Sequence, residues 1–113
     1  MFFLSDVKDS LASDISYGEQ KLLTLACCEA NDANLLLLDE PVAGIQPIYR
    51  EKIVNVLKQM IAEGKTVLLI EHNIEFVSSI TDKIFFVNQG IISIFENVNT
   101  FRYSPLVIES YLI

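Results

Sequence analysis

The chain contains no tryptophan, one histidine, two cysteines, and eight basic residues against fifteen acidic ones. The shortage of positive charge leaves a net charge of −7. It removes the basic patch that nucleic-acid binding requires, so no nucleic-acid partner is expected. The acidic residues are spread along the chain rather than bunched, as suits a solvated surface. Cys27 and Cys28 are adjacent and cannot staple distant segments. No Cys-x-x-Cys or His/Cys cluster suggests a metal, and the pair reads as small core residues in a reducing compartment. Long hydrophobic runs are also missing. The longest, Leu35–Leu38 and Val67–Ile70, fall far short of the roughly 18–20 residues that span a bilayer. The opening Met1-Phe2-Phe3-Leu4-Ser5-Asp6 has no basic segment ahead of its apolar residues, so a secretory signal is not expected. These absences point to a soluble, cytosolic chain without direct membrane insertion.

What is present suits one modest domain. About half of the 113 residues, 51%, are hydrophobic, enough for a core. Ser16 followed three residues later by Glu19 fits a capping box, and Leu22, Leu23, Leu25 and Ala26 continue it as a helix over about 18–30. Asn31-Asp32 breaks that helix. Leu35-Leu36-Leu37-Leu38 is apolar at every position, the pattern of a strand covered on both faces. Pro47 starts the next helix, with Ile53, Val56, Leu57, Met60 and Ile61 as its buried stripe and Gly64 as its stop. Thr66–Ile70 reads as a second buried strand, and Asn73 caps a short helix holding Phe76, Val77 and Ile80. Ile84–Val87 and Ile91–Phe95 flank Asn88-Gln89-Gly90, a three-residue hairpin signal. A last helix is expected from Ser104 to Leu112. This order predicts an α/β fold with a mostly parallel sheet, an antiparallel hairpin and a closing helix.

In open α/β sheets, working groups gather beyond the C-terminal ends of the strands. Those ends are Asp39-Glu40 and Glu71-His72, so three carboxylates and the single histidine converge on one edge. Asp39 is placed to hold a magnesium ion through water. Glu40 could polarise an attacking water, and His72 could contact a phosphate oxygen. Singly, an Asp-Glu-Pro turn and a lone histidine are ordinary structural features. Their shared edge is what makes them a candidate catalytic set.

Ile15-Ser16-Tyr17-Gly18-Glu19-Gln20-Lys21 resembles the signature segment of ATP-binding-cassette (ABC) ATPases, usually LSGGQ. Leu35-Leu36-Leu37-Leu38-Asp39-Glu40-Pro41 resembles their Walker B strand. Ala43-Gly44-Ile45-Gln46-Pro47 occupies the D-loop position, and Val67-Leu68-Leu69-Ile70-Glu71-His72 resembles the switch strand. Asp82-Lys83 and Gly90 also fall where the family has an Asp-Arg pair and a hairpin glycine. The resemblance covers about residues 13–95 in family order and spacing. It implies ATP and magnesium as cofactors, with Asp39 toward the metal and Glu40 and His72 as catalytic residues. It also implies that Ser16, Tyr17, Gly18 and Glu19 face ATP held by a partner subunit, at a helix start that favours anions, while Gln46 lies in the D-loop. Implied partners are a second ABC ATPase subunit and transmembrane permease subunits, with the protein peripheral on the inner face of the cell membrane. Tyr17, Glu19 and Gln46 depart from the common pattern. Tyr17 and the run Asp39-Glu40-Pro41-Val42-Ala43-Gly44 resemble branched-chain amino-acid importers, or the related urea type. The ending Val107-Ile108-Glu109-Ser110-Tyr111-Leu112 resembles the tail of the first of these.

A complete member of that family carries a phosphate loop, G-x-x-x-x-G-K-S/T, between a strand and a helix. Gly64-Lys65-Thr66 imitates its end, but Gln59 stands where the earlier glycine is required, and the segment lies between a helix and a strand. It reads as a helix stop. The whole of residues 1–113 therefore resembles the C-terminal portion of an ABC ATPase domain, without Walker A or Q-loop. The leading expectation is an ATP-hydrolysing importer subunit that is inactive as these residues alone. The alternatives are a non-catalytic fragment that pairs with another subunit and, less favoured by Pro41 and the acidic charge, a DNA-repair-type ABC ATPase.

Overall fold

The computed structural model describes residues 1–111 and divides into two units, Met1–Phe76 and Val77–Ile113. The first unit opens with two 3-10 turns, Ser5–Val7 and Ala12–Asp14. It continues with α1 (Tyr17–Ala30), β1 (Leu35–Asp39), α2 (Pro47–Ala62), β2 (Thr66–Ile70) and the start of α3 (Ile74–Ile80). Local chemistry accounts for the boundaries. Ser16 and Glu19 complete the capping box that opens α1. At its end Asp32 adopts a φ of 55°, and the Ala33 N–H returns to the Cys28 carbonyl at 3.2 Å. Pro47 occupies the first turn of α2, where its missing N–H costs nothing. Gly64, at φ 96°, ends that helix, with the Lys65 N–H donating to the Met60 carbonyl at 3.1 Å; only glycine adopts that conformation without strain.

β1 and β2 pair in parallel, Leu35 opposite Thr66 through Asp39 opposite Ile70. α2 supplies the long crossover that parallel strands need; it packs on β2 and on α1. Its inward stripe of Ile53, Val56, Leu57 and Met60 is at most 1% exposed, and each such side chain contributes about 2 kcal/mol by leaving water.

The expectation that both strands are covered on both faces is not met. Leu36 is buried, whereas Leu35, Leu37, Leu68 and Ile70 are 56–69% exposed. Side chains alternate along a strand, and helices cover one face only, so every second leucine remains open. The cysteines also differ from expectation. Cys27 is exposed and Cys28 half-buried, both free, because the inward stripe of α1 runs through Gly18, Leu22 and Leu25.

The second unit holds the rest of α3, the hairpin β3 (Ile84–Asn88) and β4 (Ile91–Phe95), and two short helices, α4 (Val98–Arg102) and α5 (Pro105–Tyr111). The hairpin loop is shorter than the sequence suggested. Asn88 pairs with Ile91, leaving Gln89-Gly90 as a two-residue turn with φ of 49° and 79°, the type I′ geometry that suits the strand twist. One hairpin face carries Phe86 and Phe95, whose rings meet Phe101 of α4 at 6.0 and 5.5 Å between centroids. The other face, Phe85, Val87, Ile92 and Ile94, is open. α4, which composition did not signal, is capped by Asn97, whose Oδ1 accepts from the Thr100 N–H at 2.9 Å. The expected last helix is present from Pro105; its final residue, Leu112, lies outside the described residues.

Candidate functional site

Parallel pairing brings the C-terminal ends of β1 and β2 together although some thirty residues separate them in the chain. The ladder runs one residue past Asp39, with the Glu40 N–H donating to the Ile70 carbonyl at 2.8 Å. Glu40 then turns at φ 48°, a left-handed conformation that costs a non-glycine residue energy and recurs at functional sites. The turn brings Glu40 Oε1 within 3.0 Å of His72 Nε2. Both side chains are open to solvent, 45% and 80% exposed, so a reacting molecule could reach them. For the same reason the pair contributes little to holding the loops together.

Asp39 is exposed on the open face of the sheet, in line with Leu35 and Leu37. Among the described residues no group of three or more His, Cys, Asp and Glu side chains could hold a metal ion. A single free carboxylate fits magnesium, which takes most of its ligands from water and phosphates.

Glu71 lies in the switch-like segment, where sequence alone gives it no role. One of its oxygens accepts from the Val42 N–H at 3.1 Å; the other accepts from the His72 N–H at 3.0 Å and the Asn73 N–H at 3.3 Å. The available signal was its position, the first residue beyond β2.

The signature-like residues form a separate group at the start of α1. Ser16 Oγ accepts from the Glu19 N–H at 3.2 Å, and Glu19 Oε2 accepts from the Ser16 N–H at 2.7 Å. The Glu19 carboxylate is thereby turned back onto the cap, leaving the amides of Tyr17 and Gly18 as unpaired helix-start donors. Gly18 is buried, and a β-carbon there would overlap the Tyr49 ring of α2. Tyr17 is 51% exposed, with Lys21 Nζ 5.2 Å from its ring centre. Gln46 stands apart again, exposed at the start of α2 and making no side-chain cap.

Gly64-Lys65-Thr66 is occupied structurally. Lys65 Nζ donates to the Ala33 carbonyl at 2.8 Å and pairs with Glu29 at 3.2 Å, only 8% exposed. That ammonium ties the end of α1 to the start of β2 and is not presented to a phosphate.

Two parallel strands joined by one helical crossover, a capped helix before them and a hairpin after them resemble the cassette structures of ABC ATPases. Residues 2–43 match the sequence model of the ABC transporter family. The chain superposes on the crystal structure of the ADP conformation of an ATP-binding cassette of an ABC transporter. The TM-score is 0.87 at 27% identity, over 98% of this chain and 45% of that one.

Among curated proteins, it is 39% identical over 106 residues to the high-affinity branched-chain amino acid transport ATP-binding protein LivG of Escherichia coli (strain K12), covering 89% of this chain and 40% of that one. It is 34% identical to the corresponding protein BraF of Pseudomonas aeruginosa, covering 96% and 43%. The chain thus spans about two fifths of the length of the curated relatives it matches, and over that span it is similar to an ABC transporter ATP-binding subunit.

Proposed function

We propose that residues 1–113 act as the C-terminal portion of an ABC ATPase domain, contributing the water-activating edge of an ATP-hydrolysing importer subunit. The observation that carries this reading is the 3.0 Å approach of Glu40 Oε1 to His72 Nε2 beside the free carboxylate of Asp39. On this reading Glu40 is the base that withdraws a proton from water, and His72 holds that carboxylate in place and reaches toward a phosphate oxygen. Asp39 would hold magnesium, whose chemistry when bound is to neutralise phosphate charge. Ser16, Tyr17, Gly18 and Glu19 would present the start of α1 to ATP held by a second ATPase subunit, with Gln46 at the contact between subunits.

The names of the relatives support branched-chain amino acids as the cargo class, and on this reading transmembrane permease subunits would be the membrane partners, with the chain on their cytoplasmic side. No helix among the described residues is long and apolar enough to cross a membrane.

The test is Glu40→Gln in a chain completed with a phosphate-loop portion. Turnover should fall at least about 100-fold with ATP affinity retained, since the amide cannot take the proton. Turnover within a few fold of the parent would remove Glu40 from the role. A second reading, a non-catalytic piece that pairs with another ABC subunit, is favoured by the open apolar face of Leu35, Leu37, Leu68 and Ile70. It predicts complex formation without any effect of Glu40→Gln on turnover.

A further inference from the structure

The Glu40–His72 pair needs two loops held in register, and the pair itself is too exposed to hold them. Glu40 leaves β1 in a left-handed turn, which relaxes if nothing restrains the residues after it. The restraint is visible one residue before His72. Glu71 is half-buried, and its carboxylate spends one oxygen on each loop: Oε1 on the Val42 N–H, Oε2 on the N–H groups of His72 and Asn73. Val42 is itself 3% exposed, so its N–H has no ready replacement in water, and bonds to an ionised acceptor are about twice as strong as neutral ones.

We propose that Glu71 is a positioning residue that fixes the Glu40 carboxylate against the His72 ring by tying the two loops together. This rests on the reading of Glu40 and His72 as the hydrolytic pair. The chemistry demands a carboxylate in particular. All three partners are N–H donors, and only an ionised acid accepts on both oxygens. A glutamine would aim its NH2 at one of the two loops, facing donor to donor. An aspartate keeps the charge but is shorter by one methylene, so it could satisfy the His72 side and not reach Val42.

The experiment has two arms. In the 113-residue chain, Glu71→Gln should accelerate amide hydrogen exchange at Val42 at least about tenfold, or at His72 and Asn73 if the amide turns the other way. It should also abolish the nuclear Overhauser contact between the ring of His72, the single histidine, and the Glu40 side chain. Exchange at Glu40, bonded to the Ile70 carbonyl, should stay unchanged. In a chain completed with a phosphate-loop portion, Glu71→Gln should lower kcat at least about tenfold while KM for ATP stays within about twofold, the split expected when binding survives and the reacting group is misplaced. Should Glu71→Gln fail to fold, Glu71→Asp gives the same readouts, with loss confined to Val42.

Unchanged exchange at all three amides, or an unchanged kcat in a completed chain where Glu40→Gln abolishes turnover, overturns the proposal. Full activity of Glu40→Gln would instead overturn the hydrolytic reading on which it rests, so the two failures are told apart.

Discussion

The described residues form two two-stranded sheets, and they use the same backbone chemistry to different ends. β1 and β2 run parallel, so both C-terminal ends arrive at one edge, and that edge carries Asp39, Glu40, Glu71 and His72. β3 and β4 run antiparallel, so each end of the hairpin holds one strand start and one strand finish. Its turn end carries Gln89-Gly90, and its other end the exposed ion pair of Lys83 with Glu96. Parallel pairing through a crossover helix gathers residues distant in sequence, whereas a tight turn gathers neighbours. The difference explains why the proposed site falls on the first sheet. In a second respect the two sheets agree: each has one face packed on helices and one face of four large apolar side chains left open.

The comparison of packed and open faces can be broken most sharply by substitution on each. Leu57→Ala, at a side chain with 0% exposure, should cost about 2–5 kcal/mol in urea unfolding through lost burial and the cavity left behind. Leu37→Lys on the open face of the same unit should change stability by no more than about 0.5 kcal/mol, and should reduce self-association measured by light scattering. A loss at Leu37 as large as that at Leu57 would mean that the face is covered. The hairpin offers the parallel case. Phe85→Lys should reduce association in the same way, and Phe101→Ala, on the packed side, should destabilise.

A smaller effect tests how the start of α1 is held. Gly18→Ala places a methyl group into the Tyr49 ring and should destabilise by about 1–3 kcal/mol. Adding Tyr49→Ala should restore part of the loss, a coupling seen only between residues in contact. Equal losses with and without the Tyr49 ring would mean that the glycine is needed for some other reason. Smaller still, Ser16→Ala should lower stability by about 1 kcal/mol, the usual contribution of an N-cap, read as a shift in the urea midpoint.

Much of this was legible in the sequence, for identifiable reasons. The capping box, Pro47, Gly64 and the capping Asn73 are local signals, each satisfied within a few residues. The convergence of Asp39-Glu40 with Glu71-His72 followed from parallel pairing alone. The faces were not legible. An unbroken leucine run states that a strand can be covered twice, not that these residues cover it twice. The role of Glu71 is not legible, because its partners are backbone N–H groups, which no side-chain pattern reveals. α4 escaped notice because its buried anchor is a single residue, Phe101, behind an asparagine cap. The sequence predicts a hairpin loop one residue longer than the turn observed, because Asn88 is a turn-forming type and yet pairs within the ladder.

The central claim is that the Glu40–His72 edge works only with a nucleotide cradle from outside these 113 residues. Its most direct test is magnesium-dependent ATP hydrolysis, with a nucleotide titration, on this chain alone and on a chain completed with a phosphate-loop portion. A lone acidic edge cannot hold ATP, because magnesium comes with phosphates that a loop has already fixed. The account predicts no hydrolysis and at best weak binding for the 113 residues, and turnover for the completed chain. Tight ATP binding or steady hydrolysis by the 113 residues alone would contradict it.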